Sequence, residues 1–241
     1  MDANAPEQLN DLSTSWTLLQ AAHDPAAATG PRDKARRELV ERYLAVVRRY
    51  LGGALRLEKC RDEAVEELVQ EFGLRVMAGS LHNVTPDRGR FRYYLRTVLS
   101  NLVREYQRKK NRQPAPLGDE DVVEEEQRIS EDEFTEMWRE ELVRRSLGAL
   151  AAYEQETGQI LYTALKLAMD EPGLQAVDLA VRLSGRLGRN VDAAWARKRI
   201  FLAREKLREL LRREVKQSLQ EPSAEAIDQE LADVGLLAYC R

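Results

Sequence analysis

Apolar residues recur at helical spacing along most of the chain, and the clearest example lies between Arg88 and Arg112. There the apolar positions fall three and four residues apart over about four turns, which is the pattern of one buried helix face. They are Phe91, Tyr94, Leu95, Val98, Leu99, Leu102, Val103 and Tyr106. The pattern predicts a long amphipathic helix whose rings at Phe91 and Tyr94 belong to the core.

Similar patterns predict further helices in the first half of the chain. One short helix ends near His23, a second ends at Gly52–Gly53, and a third runs from about Asp62 to Ala78. The glycine pair is read as a stop because glycine readily leaves helical geometry. Since no alternating, strand-like run interrupts this half, we expect an all-helical bundle.

Helical patterning resumes at Phe134 and continues through the second half. A short helix around Val177 to Leu183 is followed by a turn region from Gly185 to Val191. Asp192 is then a suitable N-cap for a long helix with a basic outer face. A short helix, a glycine-containing turn and a longer basic helix predict a helix-turn-helix.

The expected fold class is all-α, with two small helical domains joined by an acidic flexible linker. The N-terminal helical domain is residues 1–112, and the linker is residues 113–133, where prolines, a glycine and dense negative charge disfavour packing. The C-terminal domain, residues 134–216, contains the helix-turn-helix. Residues 217–241 are expected to form a tail helix.

Charge is segregated along the chain, although the formal net charge is only -3. Nine basic residues face two acidic ones between Pro86 and Arg112, and twelve face four between Arg182 and Lys216. The stretch between them, from Asp119 to Glu141, carries twelve acidic residues. Two basic segments separated by an acidic one are typical of a protein that binds a polyanion through two modules.

The sequence argues against several other classes of protein. It has no apolar run of about 18 residues and a polar start, so we expect a cytoplasmic protein that does not engage membranes. Cys60 and Cys240 lie far apart, and His23 and His82 are the only histidines, so no cluster has metal-ligand spacing. No phosphate-binding loop, nucleophile elbow or zinc-protease motif occurs either. We therefore expect no enzymatic activity, no cofactor and no metal.

Three segments carry a resemblance to a known family. Residues 88–112 contain RGRF, YLRTV and NLVREY before a basic cluster, and residues 67–75 read ELVQEFGLR. Residues 197–211 read RKRIFLAREKLRELL. The three resemble segments of a bacterial RNA polymerase sigma factor of the extracytoplasmic-function (ECF) type. Residues 88–112 resemble its minus-ten-reading and melting helix, and residues 67–75 resemble its core-polymerase-binding helix. Residues 197–211 resemble its minus-thirty-five recognition helix. The resemblance covers roughly residues 35–112 and 140–216.

The resemblance implies a factor that binds core RNA polymerase and directs promoter-specific initiation by recognising and melting promoter DNA. Its partners would be the beta-prime clamp helices and the beta subunit, promoter DNA, and an anti-sigma factor where one exists. The DNA-binding residues of the first domain would be Arg88, Arg90, Arg92, Tyr93, Arg96, Asn101, Arg104, Arg108 and Lys109. Those of the second would be Arg189, Asn190, Arg197, Lys198 and Arg204. The polymerase-binding residues would be Glu67, Leu68, Gln70, Glu71 and Leu74.

The chemistry of the residues supports these roles to different degrees. A basic stripe binds phosphates, and an exposed ring such as Tyr93 stacks on an unpaired base. Asn101 has donors for a base edge, but a solvated surface amide explains it equally well. The acidic face of the helix from Asp62 to Ala78 repels phosphates, which favours a protein partner. Two alternatives stay open: a helix-turn-helix transcriptional regulator with an N-terminal helical sensor domain, and a helical adaptor without DNA binding.

Overall fold

The computed structural model describes residues 15–24, 26, 28–56, 58, 60–79, 90–112 and 129–240. In these ranges the regular structure is helical, apart from one isolated antiparallel bridge between Arg90 and Leu219. The helices are α1 (Ser15–His23), α2 (Thr29–Ala54), α3 (Arg61–Ala78), α4 (Phe91–Arg112), α5 (Glu131–Thr157), α6 (Tyr162–Asp170), α7 (Ala176–Leu187), α8 (Ala193–Ser218), α9 (Ala224–Asp233) and a 3-10 turn (Leu237–Tyr239). The predicted all-helical fold is confirmed. None of these helices is both long enough and apolar enough to cross a membrane.

The described residues divide into two compact units, and each is considered by itself. Unit 1 takes those within 1–141 and 216–227, and unit 2 takes those within 142–215 and 228–241. Residues 113–128 of the expected linker lie outside the described ranges. Residues 129–141, including the first turns of α5, pack in unit 1, although the sequence placed Phe134 in the second domain.

The core of unit 1 is built from aromatic rings. Phe91 of α4 stacks on Tyr43 of α2 with 4.6 Å between ring centroids. Trp16 of α1 meets Phe91 and Tyr94 edge-on at 5.6 and 5.5 Å, and Trp138 of α5 stacks on Tyr43 at 5.6 Å. Aromatic pairs of this kind stabilise a core by about 0.5–1.5 kcal/mol beyond their area burial. The predicted core positions of Phe91 and Tyr94 are confirmed.

The glycine pair lies in the last turn of α2, which ends one residue after it at Ala54, so the helix ends within one residue of the predicted position. Gly53 serves a second purpose, because a Cβ there would lie 2.7 Å from Cδ1 of Ile129. Ile129 is buried and lies two residues before α5. The missing side chain of Gly53 therefore lets the residues before α5 seat directly against α2.

A capping box fixes the first turn of α5. The Ser130 hydroxyl accepts the backbone N–H of Glu133 at 3.1 Å, and the Glu133 carboxylate accepts the backbone N–H of Ser130 at 2.8 Å. These hydrogen bonds, first from the backbone and then from the hydroxyl, hold the pKa of Glu133 below its usual value. The helix therefore begins beside α2 at a defined residue.

Unit 2 encloses two apolar clusters that share α6 and α8. One cluster consists of Ala164, Leu167, Leu179, Ala180, Leu183 and Ala196. The other consists of Leu150, Leu161, Leu165, Ala203 and Leu210. Beside them, Arg145 of α5 and Glu214 of α8 form an ion pair at 2.6 Å. Because α8 contributes to both clusters, its outer face has a fixed direction within the unit.

Candidate functional site

The outer face of α4 presents a polar row. Thr97, Asn101, Arg104 and Arg108 are exposed, and their spacing of four, three and four residues places them on one side of the helix. The opposite side is buried in the core of unit 1. The row combines a hydroxyl, an amide and two guanidinium groups, which suits the phosphates and base edges of nucleic acid.

The cations of α4 differ in whether a carboxylate neutralises them. Arg96 lies 3.4 Å from Glu131, and Lys110 pairs with Glu58. Within the described ranges, three cations of this helix form no ion pair: Arg104, Arg108 and Lys109. Their charge is therefore available to an anionic partner, whereas that of Arg96 and Lys110 is partly satisfied within the protein.

Arg92 does not lie on the solvent side of α4, so its predicted exposure is wrong. It is only 3% exposed, and its guanidinium donates to the Thr135 hydroxyl at 3.3 Å and to the Tyr93 hydroxyl at 2.9 Å. Its guanidinium carbon also lies 4.3 Å from the centroid of the Tyr93 ring. The cover comes from α5, which is remote in sequence, so the periodicity of α4 could not reveal it. Tyr93 is half-exposed and engaged with Arg92.

The remaining DNA-binding predictions for unit 1 concern residues that precede α4. Arg88 lies outside the described residues. Arg90 is half-exposed, and its backbone forms the bridge with Leu219. Their roles stay predictions.

A second surface of unit 1 lies on α3. Glu67, Gln70, Leu74 and Met77 are exposed and spaced three, four and three residues apart, so they form one outer face of this helix. Leu74 is 64% exposed, which is unusual for a leucine in a packed helix. Met77 was not predicted, although its spacing from Leu74 was visible in the sequence. A face with negative charge, an amide and two apolar side chains is better suited to contact with a protein than to contact with DNA.

Leu68 does not belong to this face, so its predicted role as a contact residue conflicts with the structure. It is 4% exposed and packs in the core with Val65 and Phe72 as neighbours on the buried side of α3. Glu71 is half-buried beside Arg75, which binds it at 2.8 Å. A short run of adjacent residues on a helix necessarily spans both faces, and the resemblance alone did not separate them.

Replacing Leu68 by alanine tests this correction. We expect the free energy of unfolding to fall by about 2–5 kcal/mol, because the substitution leaves a cavity in the core. Urea denaturation followed by circular dichroism measures it. The matched control is Leu74→Ala, which removes the same atoms from an exposed position and should change stability by less than about 0.5 kcal/mol. Equal destabilisation by both variants would contradict the assignment.

Arg75 links α3 to α4, the helices that carry the two surfaces of unit 1. Its guanidinium binds Glu71 on α3 and Glu105 on α4, the latter at 2.6 Å. The hydrogen bond from Arg75 holds the pKa of Glu105 below its usual value against the opposing effect of burial. Because an arginine fork binds a carboxylate in a planar, directional manner, the contact sets the orientation of α4 against α3.

In unit 2, α7 and α8 meet at a turn that is shorter than predicted. Helix α7 continues through Gly185 to Leu187 and ends where Gly188 adopts a left-handed conformation with φ 63°. The Ser184 hydroxyl accepts the backbone N–H of Val191 at 2.9 Å. Asp192 caps α8 as predicted, because its carboxylate accepts the backbone N–H of Trp195 at 2.7 Å.

The first half of α8 and the preceding turn carry cations that the protein leaves unneutralised. Within the described ranges the predicted DNA-binding cations of unit 2 form no ion pair, and all are exposed: Arg189, Arg197, Lys198 and Arg204. Asn190 is exposed beside them. Further along α8, Arg208 pairs with Glu205, and Arg212 lies 2.6 Å from Asp228. Arg208 and Arg212 are thus neutralised, whereas the cations in the first half of α8 are not, within the described part of the chain.

Phe201 is a residue of this surface that the sequence reasoning missed. It is 61% exposed and lies four residues after Arg197 and three before Arg204, on the same side of α8. An apolar ring among unneutralised cations is costly in water and suits contact with a base or its methyl group. The signal was present in the sequence, since Phe201 falls outside the apolar spacing of its helix.

Within the described residues, the three surfaces on α3, α4 and α8 hold no cluster of metal ligands. In the parts of the chain that the structure describes, no group of three or more histidine, cysteine or acidic side chains converges. Cys60 is exposed and Cys240 is half-buried, and each is a free thiol.

Comparison with known proteins identifies the region that carries the first two surfaces. Residues 39–113 match the family Sigma-70 region 2, from Leu39 in α2 past the end of α4. Region 2 is a part of sigma factors, which are DNA-binding proteins of transcription initiation. In residues 39–113, and so in less than half of its length, the chain is similar to the sigma-70 family. No curated protein and no solved structure is significantly similar to it.

Proposed function

We propose that the chain is an ECF-type sigma factor that directs core polymerase to selected promoters. Unit 1 binds the polymerase and melts the minus-ten region, and α7 with α8 reads the minus-thirty-five element. The observation that carries the proposal is the clustering of unneutralised cations on two helices, α4 in one unit and α8 in the other. A protein that uses DNA contacts at two promoter elements requires such a pair of surfaces.

The outer face of α3 is the proposed polymerase contact. Its exposed Leu74 and Met77 supply apolar area, and Glu67 supplies charge that repels DNA phosphates. The beta-prime clamp helices are the proposed partner, with Gln70 as a hydrogen-bonding residue. Glu71 acts through Arg75 and not by direct contact.

The outer face of α4 is the proposed DNA-melting surface. Arg104, Arg108 and Lys109 bind phosphates without sequence preference, and Asn101 is placed to hydrogen-bond a base edge beside them. Arg96 contributes after exchanging Glu131 for a phosphate, since its ion pair is exposed and weak. Tyr93 is the proposed stacking ring.

In unit 2, α8 is the proposed recognition helix, with Arg197, Lys198, Phe201 and Arg204 towards the major groove. Unit 2 is then the proposed minus-thirty-five domain, and unit 1 is the proposed domain that binds polymerase and melts DNA. The proposed compartment is the cytoplasm, where core polymerase works. An anti-sigma factor that covers the α3 face is a proposed further partner.

Reconstitution with purified core polymerase tests the proposal. The full chain should co-purify with core polymerase in a one-to-one complex and start transcripts at promoters mapped after overexpression. Duplex binding without polymerase binding would favour a helix-turn-helix regulator with a sensor domain. Binding of neither core polymerase nor DNA would favour a helical adaptor.

A further inference from the structure

Two guanidinium groups lie over one tryptophan ring at the start of α8. The guanidinium carbon of Arg199 lies 4.9 Å from the centroid of the Trp195 ring, and that of Arg189 lies 5.5 Å from it. Both distances fall within the range of about 6 Å for an attractive cation–π contact. Trp195 itself is half-buried and packs against the apolar cluster shared by α6, α7 and α8.

The backbone on either side of this ring is held in place. Gly188 ends α7 in a left-handed conformation, and Ser184 binds the N–H of Val191 across the turn. Asp192 binds the backbone N–H of Trp195 at 2.7 Å. The position of the ring is therefore fixed. Arg189, on the turn, and Arg199, one helical turn after Trp195, both stack on it.

Stacking on a ring leaves an arginine chemically different from one that is paired with a carboxylate. A carboxylate occupies the N–H donors in the guanidinium plane, whereas a ring contacts the face of that plane and leaves the donors available. Within the described ranges neither Arg189 nor Arg199 forms an ion pair. Both are thus restrained in position. Nε of Arg199 is buried, so its terminal N–H groups are the donors that an anion would contact, whereas Arg189 is exposed.

We propose that Trp195 is a positioning residue that holds Arg189 and Arg199 for contact with DNA phosphates beside the recognition helix. The proposal rests on the proposed DNA-binding function of α8. Phosphates are the fitting ligand because the positive end of the helix dipole lies at the same place and adds to the attraction for an anion. A long, flexible arginine loses conformational entropy when it binds a phosphate. Because the ring already restrains the side chain in the free protein, less entropy is lost on binding.

The test uses the full chain and a mixed-sequence DNA duplex, with binding followed by fluorescence anisotropy over a range of KCl concentrations. Trp195→Leu should bind at least about tenfold more weakly at low salt, because the loss of even one phosphate contact has about this effect there. The slope of log K against log [KCl] should become shallower by about one to two, since each lost phosphate contact removes about 0.9. Trp195→Phe, which keeps an aromatic face, should recover most of both quantities.

A variant pair separates positioning from general loss of structure. Arg189→Gln, at an exposed position, with Arg199→Gln, at a half-buried one, should make the slope shallower by about two. The matched control, Lys206→Gln with Arg208→Gln, removes two cations of α8 that are already paired and should leave the slope unchanged. In the Arg189→Gln, Arg199→Gln background, Trp195→Leu should have no further effect, because the groups that it positions are gone.

Three results would overturn the inference. They are an unchanged slope in the Arg189→Gln, Arg199→Gln variant, an unchanged slope in a folded Trp195→Leu chain, and a full further loss on adding Trp195→Leu to the double variant. If the unaltered chain bound the duplex without salt dependence, or did not bind it, the proposed DNA-binding function would fail together with the inference. Salt-dependent binding by the unaltered chain with any of the first three results would remove the inference alone.

Discussion

Replacing Arg104 and Arg108 by alanine should reduce open-complex formation at least about a hundredfold and leave the affinity for core polymerase unchanged. The two side chains are exposed on one side of α4 and form no ion pair in the described ranges. Each charge-assisted hydrogen bond to a phosphate contributes about 1.5–3 kcal/mol, so losing two is expected to have this effect. Permanganate footprinting of the bubble on a mapped promoter measures it, and gel filtration with core polymerase measures affinity.

The matched control removes two other exposed cations of unit 1, Arg48 and Lys110, which pair with Glu66 and Glu58. Alanine at both positions should reduce open-complex formation only slightly, although the net charge changes by the same amount. If the control variant lost as much activity as the test variant, bulk positive charge and not the outer row of α4 would explain the effect. Parallel loss of polymerase affinity would indicate that the row contacts the polymerase.

The second large effect is expected at Leu74. Aspartate at this position should weaken binding to core polymerase by at least about a hundredfold, because a charge would be buried in the centre of an apolar contact. The thermal unfolding midpoint should stay the same, since 64% of the leucine is exposed in the free protein. Surface plasmon resonance with immobilised core polymerase measures the affinity, and circular dichroism measures the midpoint.

Tyr239→Asp is the control for this substitution. Tyr239 is 70% exposed and also places an apolar side chain in solvent, but it lies in the 3-10 turn after α9. The control should bind core polymerase as the unaltered chain does. Normal affinity of the Leu74→Asp variant would rule out the α3 face as the polymerase contact, and so would equal loss in both variants.

Helical periodicity was sufficient to predict the fold class and the core side of α4. It placed Phe91 and Tyr94 in the core because a buried face repeats every three to four residues whatever lies opposite. It could not show that Arg92 is buried, since the covering residue, Thr135, belongs to another helix. The same limit applies to Leu68, whose neighbours in sequence point to both sides of α3.

Charge pairing was equally inaccessible from the sequence. Arg75 and Glu105 are 30 residues apart and become partners only when α3 packs on α4. The cations of α8 look alike along the chain, yet Arg208 and Arg212 are neutralised and Arg197 and Arg204 are not. Which cations remain for DNA is thus a property of packing and not of composition.

The seat of Ile129 on Gly53 has a consequence for the start of α5. Ile129 lies two residues before this helix, and both Ile129 and Gly53 belong to unit 1. Their contact fixes the point at which the chain enters α5, and the hydrogen bonds between Ser130 and Glu133 fix the first turn. The position of the start of α5 in unit 1 is therefore set by these local contacts and does not depend on the length of the sequence that precedes Ile129.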